Sequence, residues 1–283
     1  MPRSFLSLLI VPFFFTACSS NNVTVDNSLK RYFDSAGVQG SFGFFDNGQG
    51  HFTIYNLTRY SDSFYTPGAT FDILMSLVAI QTGVMKDDST KFLADLVVRI
   101  ENQNRRPETI GELFGDTTFI GDLAFFRLAK QIGRDTLKKW IDSLQYGNKV
   151  VGSDTTISDT MTAFWVNNTL KINSDQQLGL LKKLYFNQLP FFQRTQQIVC
   201  RMMTVENHPG YRLSYKTARG LKEDGHAIGW VMGWVEENKS PYFFVVNLES
   251  ADPDKNLGET GLAITNGILR QLGFSQGKKQ GKK

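Results

Sequence analysis

Hydrophobic and polar positions follow two different periods along the chain, and the order of these periods predicts a mixed α and β architecture. Period-two runs at 41–45 and 51–55 are separated by Asp46-Asn47-Gly48, which is typical of a hairpin turn. Helical spacing dominates from about residue 70 to residue 203. Three further β-type runs and a last apolar helix follow: Tyr211 to Ala218, Ala227 to Glu236, Tyr242 to Leu248, and Leu257 to Leu272.

Two segments of the helical block are distinct enough to predict helix bounds. From Arg134 to Leu144 the apolar residues recur at spacings of three and four. Ser174 and Gln177 form a capping box that predicts a helix through Tyr185. With a first helix from Asn27 to about Gly37, the pattern predicts an α+β fold. It consists of a five-stranded antiparallel sheet, two terminal helices, and an all-helical subdomain inserted at about 75–205.

The two ends of the chain differ from the domain between them. Residues 1–17 have the basic Arg3 and a short apolar run, Leu6 to Phe15, which predict a signal peptide. The residues before Cys18 resemble a bacterial lipoprotein box, which implies cleavage there and lipid on the Cys18 thiol. We therefore expect a tether at 18–26, the folded domain at 27–275 and a basic disordered tail at 276–283. The alternative is an ordinary secretory signal with a stray cysteine.

These ends predict a lipid-anchored protein of the bacterial cell envelope that faces the periplasm, as in a Gram-negative cell. The composition argues against nucleic-acid binding, a disulfide and a metal site. Without Arg3 and the four tail lysines, 26 basic residues face 27 acidic ones, so the net charge of +4 does not indicate nucleic-acid binding. Cys200 has no cysteine partner if Cys18 carries lipid, and the three histidines lack ligand spacing. We expect no metal, no cofactor and no nucleic-acid partner.

The most informative stretch is Pro67-Gly68-Ala69-Thr70-Phe71-Asp72, at the start of an apolar helix. It resembles the active-site helix of the class D serine β-lactamases and their penicillin-binding relatives, which reads Pro-x-Ser-Thr-Phe-Lys. In that family a nucleophilic Ser and a general-base Lys stand three residues apart, on one face of the helix. Here Ala69 stands at the Ser position and Asp72 at the Lys position. The resemblance implies the family's fold and cleft without its reacting groups.

Other motifs of the family can be placed along most of the chain. Tyr146-Gly147-Asn148 resembles its Tyr-Gly-Asn loop, and Trp165 follows Phe164 as in its Phe-Trp pair. Ile120-Gly121-Asp122 falls on the Ser-x-Val motif, so Ile120 replaces the second catalytic Ser. The strand from Ile228 to Glu236 also resembles the family's.

At the end of the cleft that binds the substrate carboxylate in the family, two residues of this chain differ from the family's. Lys216-Thr217-Ala218 stands where the family has Lys-Thr-Gly, and Ala218 adds a methyl group beside the ligand position. Gly261 stands where the family usually offers an Arg. The resemblance further implies an oxyanion hole made by the backbone N–H groups of Ala69 and Arg219.

The altered cleft has two interpretations. In the first, Asp72 pairs with Lys216 and closes a site that has lost its chemistry. In the second, the cleft is a polar pocket for a β-lactam or a peptidoglycan-derived ligand. The candidate pocket residues are Asp72, Asp122, Tyr146, Asn148, Trp165, Lys216, Thr217, Ala218 and Arg219.

We therefore expect a non-hydrolysing pseudoenzyme, with Ala69, Asp72 and Ile120 at the degenerate catalytic positions. One alternative is an active β-lactam hydrolase or transpeptidase with a displaced nucleophile, for which Thr70 and Ser76 are the neighbouring hydroxyls. Another is acid–base chemistry by two carboxylates near a Lys. A module that binds a cell-wall fragment or a protein partner is the third.

Overall fold

The computed structural model describes residues 22–91, 108–117, 119–152, 163–275 and 278–279. Seven strands form its main sheet: β1 (Val23–Val25), β2 (Gln39–Asp46), β3 (His51–Tyr55), β4 (Thr204–His208), β5 (Tyr211–Leu221), β6 (Ala227–Glu237) and β7 (Ser240–Ser250). Their spatial order is β1-β3-β2-β7-β6-β5-β4. Every neighbouring pair is antiparallel except β1 and β3, which run parallel.

The predicted count of five strands is therefore corrected to seven, in a mixed sheet. The five predicted strands form its continuous antiparallel centre, from β3 to β5. Residues 23–25, assigned to the tether from their sequence, form the parallel edge strand β1, in which Val23 is opposite Phe52. Part of the predicted disordered tail also pairs, because Lys278–Lys279 (β9) lies against Phe274–Ser275 (β8). Residues 1–21, with the predicted signal peptide and Cys18, lie outside the described residues.

The helices follow the predicted order along the chain. They are α1 (Lys30–Ser35), α2 (Leu57–Asp62), α3 (Asp72–Thr82), α4 (Ile110–Gly115), α5 (Phe119–Ile132), α6 (Arg134–Leu144), α7 (Ser174–Tyr185), α8 (Gln193–Met202) and α9 (Leu257–Gln271). Short 3-10 helices at Asn27–Leu29 and Gly68–Phe71 lead into α1 and α3. Across the described residues, no helix has both the length and the hydropathy that a bilayer-spanning segment requires.

The bounds predicted for α6 are confirmed. The N-cap predicted for α7 is wrong by one residue. Asn173, not Ser174, is the N-cap, and its side chain accepts the Gln176 N–H at 2.9 Å. Ser174 is the first helical residue, and its hydroxyl lies 3.5 Å from that of Ser41 on β2. Both residue types cap helices well, so the sequence left two candidates at this position.

The sheet separates two hydrophobic clusters, and β6 contributes to both. Trp230, Met232 and Trp234 face the larger cluster, which contains α3 to α8. Val231 and Val235 face the smaller one, which contains α1 and α9. Because successive side chains of a strand point to opposite faces, a strand covered on both sides is apolar along its whole length.

Helix α9 lies directly on the outer face of the sheet at Gly261. A Cβ at this residue would stand 2.6 Å from Val231 Cγ2 and 3.1 Å from Leu248 Cδ1. Gly261 thus faces the smaller cluster, on the opposite side of the sheet from α3. This corrects its assignment to the cleft, because a side chain here would enter the interface between α9 and the sheet.

Replacing Gly261 by Ala should lower the free energy of unfolding by about 1–3 kcal/mol, the usual cost of overpacking a core. Gly258→Ala on the same helix is the matched control, because its Cβ would meet only Asn256 Oδ1, at 3.5 Å. That control should leave stability unchanged or raise it by up to ~1 kcal/mol. Urea unfolding of both variants measures the difference, and equal effects would contradict this packing of α9.

Candidate functional site

The residues before α3 are fixed tightly against β5 and the segment at 163–170. Gly68 has a φ of +53°, and a Cβ there would stand 2.4 Å from the Arg219 carbonyl oxygen, so glycine permits this close approach. The Gly68 N–H and the Thr66 hydroxyl both donate to the Trp165 carbonyl, at 2.9 and 2.7 Å. The next residue, Ala69, is half-buried and presents a methyl group at the start of the helix.

The first residue of α3 makes a buried ion pair with the middle of β5. Lys216 Nζ lies 2.8 Å from Asp72 Oδ2, and each side chain is 6% exposed. The predicted pairing of Asp72 with Lys216 is therefore confirmed. The position of Asp72 in the first turn also places its negative charge at the positive end of the helix dipole.

The same ammonium group is enclosed by α4, a contact that the sequence did not predict. Lys216 Nζ donates to the Phe114 carbonyl oxygen and lies 4.3 Å from the centroid of the Phe114 ring. Phe125 of α5 meets Phe114 edge-on at 5.9 Å and lies 5.5 Å from the ammonium. Lys216 thus has a carboxylate, a carbonyl and an aromatic face as partners.

Burial dominates the electrostatics of this pair. Loss of water raises the pKa of Asp72 to about 6, although the nearby ammonium of Lys216 opposes the rise and Asp122 adds to it. Asp122 itself is exposed, in the first turn of α5. Its pKa is raised because surrounding protein displaces part of its water, while Arg219 and Lys216 oppose this. Two acidic and two basic side chains therefore interact around the start of α3.

The chain matches known proteins over most of its length. Residues 29–272 match the penicillin binding protein transpeptidase domain. The chain is 32% identical to β-lactamase OXA-48 of Klebsiella pneumoniae over 80% of both chains. It is 26% identical to β-lactamase OXA-5 of Pseudomonas aeruginosa over 94% of this chain and 98% of that protein. The solved class D β-lactamase of Sebaldella termitidis has a TM-score of 0.78 and 25% identity, covering 90% of this chain and 99% of that one.

The chain belongs to the family of penicillin-binding transpeptidase domains and class D β-lactamases. Ile120 is half-buried and packs on the larger cluster, so a hydrocarbon side chain stands at the position expected for the second hydroxyl.

The Tyr-Gly-Asn and Phe-Trp positions hold the segment at 163–172 in place. Tyr146 is buried edge-on against Phe71 at 5.7 Å, and this burial raises its pKa. Asn148 is exposed, and its amide donates to the Thr169 carbonyl at 2.9 Å. Trp165 stacks on Phe71 at 5.6 Å. These contacts give Tyr146, Asn148 and Trp165 a packing role, and ligand binding by them stays a prediction.

The strand positions after Lys216 divide between the two faces of the sheet. Ala218 is buried on the face of α3, where its methyl lies 3.5 Å from the Cβ position of Gly68. Tyr215 packs against the smaller cluster on the other face, so Thr217 shares that face by strand alternation. Arg219 is exposed at the edge. The structure therefore brings Asp72, Lys216 and Ala218 together, and Thr217 points away from them.

A second charged cluster, centred on Glu249 of β7, was missed by the sequence analysis. Its Oε2 accepts from Arg59 at 2.8 Å, and its Oε1 lies 2.7 Å from Lys222 Nζ and 2.9 Å from His226 Nδ1. Burial alone would raise the pKa of Glu249, but the hydrogen bonds from Lys222, Arg59 and His226 outweigh it and lower the pKa to about 2.

The Glu249 cluster could hold a metal ion by its donor types, since ligand atoms of Asp224, His226 and Glu249 lie within 4.8 Å of one another. The ammonium of Lys222 already lies among them, 2.8 Å from Asp224 Oδ2. We therefore interpret the cluster as an ion-pair network that joins α2, β7 and the turn between β5 and β6. No sequence spacing could have revealed it, because Arg59 and Glu249 are 190 residues apart.

The raised pKa of Asp72 predicts a specific dependence of stability on pH. The folded state binds this proton more tightly than the unfolded chain, so Asp72 favours folding most below its ordinary pKa of 3.8, and the contribution is lost as the pH rises to about 6. The slope is at most about 1.4 kcal/mol per pH unit. Asp72→Asn should remove this fall in the free energy of unfolding.

Urea unfolding at intervals between about pH 4 and about pH 7 measures the slope. Asp135→Asn, at a side chain that is 94% exposed, is the matched control and should keep the slope of the unsubstituted protein. If Asp72→Asn keeps that slope too, the assignment of this proton to the buried pair is wrong.

Proposed function

We propose that this chain is a non-hydrolysing member of the class D β-lactamase family, with a catalytic centre converted into a structural ion pair. The observation that carries the proposal is the Asp72–Lys216 contact of 2.8 Å, buried next to the methyl group of Ala69. An acyl-enzyme needs an attacking oxygen and a base that removes its proton. At this helix start a methyl group takes the place of the oxygen, and a carboxylate held by an ammonium takes the place of the amine.

The neighbouring hydroxyls are poorly placed to act as displaced nucleophiles, which argues against the first alternative. Thr70 is fully buried, donates to the Pro67 carbonyl at 2.8 Å and accepts from Gln177 at 2.8 Å. Ser76 is fully buried in the core, one helical turn beyond Asp72. A substrate carbonyl would have to enter the core to reach either oxygen.

The alternative of a polar ligand pocket has less support. Asp72, Tyr146 and Lys216 are buried, and Lys216 is already satisfied by protein groups. Among the nine candidate pocket residues, Asp122, Asn148 and Arg219 are exposed to solvent, and Asn148 already donates to the Thr169 carbonyl. Acid–base chemistry by Asp72 and Asp122 on a bound substrate meets the same obstacle, since the buried carboxylate is closed off by its partner.

Loss of the nucleophile should abolish acylation by β-lactams. In a serine protease, removing the catalytic serine costs on the order of 10⁶-fold in kcat, which sets the scale expected here. After incubation with a penicillin, the intact mass of the protein should be unchanged, and a chromogenic cephalosporin should not be hydrolysed above the rate in buffer. A stoichiometric acyl adduct on the unsubstituted chain would refute the proposal.

Restoring the family residues provides the matched series for this experiment. Ala69→Ser returns a hydroxyl without a base, so any acyl adduct should form slowly. The double variant Ala69→Ser with Asp72→Lys returns both groups on one helix face and should acylate faster than the single variant. Mass spectrometry over time measures both rates.

We also propose that the chain acts at the cell envelope, anchored by lipid on Cys18. This rests on the apolar leader and on the residues around Cys18 in the sequence. In a Gram-negative host, Cys18→Ala should move the protein from the membrane fraction to the soluble fraction. Cys200→Ala is the control and should stay with the membranes. Identical fractionation of the two variants would count against the anchor.

A further inference from the structure

The position of α4 suggests a function for this short helix. Its six residues are too few for a stable isolated helix, so its place depends on contacts with the rest of the protein. Ile110, Leu113 and Phe114 are buried in the larger cluster. At the end of α4, Phe114 presents its carbonyl and its ring to Lys216.

The other end of α4 is held by the turn after α3. The N–H groups of Ile110 and Gly111 donate to the carbonyls of Thr90 and Asp88, each at 3.0 Å. Gly111 makes this approach possible, because a Cβ there would lie 3.0 Å from the Asp88 carbonyl oxygen.

The side chain of Arg201 on α8 holds the turn after α3 in place. Arg201 donates to both carboxylate oxygens of Asp88, at 2.9 and 2.7 Å, which is the bidentate geometry of a strong ion pair. This contact holds the pKa of Asp88 below its ordinary value, mainly through the Arg201 hydrogen bond. A continuous series of contacts therefore leads from Arg201 through Asp88 and α4 to Lys216.

We propose that α4 is a built-in plug that closes the Lys216 end of the cleft to carboxylate-bearing ligands, and that Arg201 and Asp88 anchor it. The Lys216 ammonium donates to the Phe114 carbonyl on α4, so that hydrogen bond is not available to a ligand carboxylate. Asp72 neutralises the charge from the side of α3, and Phe114 covers it from the side of α4. Closure thus comes from two independent elements.

This inference rests on the proposed function in one respect, that the cleft no longer turns over substrate. The two can fail separately. An acyl adduct formed while the Lys216 amine stays inaccessible would refute the proposed function and leave the plug intact, whereas free access to Lys216 would refute the plug without restoring a nucleophile.

Access to Lys216 can be measured by acetylation of the folded full chain with a small amine-reactive acetyl ester. Peptide mass spectrometry gives the rate at Lys216 relative to the exposed Lys139. Asp72 is present in every variant, so the carboxylate partner of the amine is the same throughout. In the unsubstituted protein, Lys216 should react at least about 10-fold more slowly than Lys139.

Removing the anchor should open the plug without leaving a cavity. Arg201→Ala should raise the Lys216 rate about 2- to 5-fold, the factor that corresponds to a partly exposed ion pair of ~0.5–1 kcal/mol. Arg212→Ala is the matched control, since Arg212 is also half-exposed and pairs with Glu236 on the strand next to it. The control should leave the rate unchanged, and equal rates in the two variants would overturn the role of the anchor.

Removing the cover itself should have the larger effect. Phe114→Ala should raise the Lys216 rate at least about 10-fold. Phe126→Ala, which removes a buried ring of α5 that contacts Lys130 instead, is the control for general loss of packing. If Phe126→Ala accelerates Lys216 as much as Phe114→Ala, or if Phe114→Ala has no effect, α4 is not a plug.

Discussion

The buried contact between Asp72 and Lys216 is the constraint on which the centre of this molecule depends. Removing two charges from water is costly, and the pair is stable only because each ion has the other and further partners close by. Lys216 has the Phe114 carbonyl and ring in addition to the carboxylate. Removing either ion alone would leave the other buried without its opposite charge. The Lys216 ammonium therefore ties α3, β5 and α4 together through the Asp72 carboxylate and the Phe114 carbonyl and ring.

The surrounding scaffold keeps the geometry of a catalytic family although the reacting groups are absent. Gly68 still brings the helix start onto β5, and the Trp165 carbonyl still holds the residues before it. Such positions serve packing as well as chemistry, so a chain with other side chains at the motif positions can keep them. The Glu249 network likewise ties α2 to β7 and to the turn between β5 and β6. A fold does not by itself imply an activity.

The sequence predicted well those helices and strands whose residue periodicity extends over many consecutive positions. The hairpin of β2 and β3, the bounds of α6 and the three long strands followed from residue periodicity. The edge strands β1 and β4 were missed because they are short and are defined by backbone pairing with β3 and β5, which leaves little trace in side-chain periodicity. The cap of α7 was misplaced by one residue because Asn173 and Ser174 have similar capping propensities.

The sequence by itself determined what cannot react: an alanine at position 69 has no oxygen in any fold, and an aspartate at position 72 is no amine. It also determined which opposite charges were available to pair. Only the tertiary structure decided that Phe114 covers Lys216, that Thr217 faces away from α3, and that Gly261 belongs to the interface of α9 with the sheet. The physical reason is that the chemistry of a group is carried by its own atoms. Its burial, its face and its partners are set by residues that folding brings from distant parts of the chain.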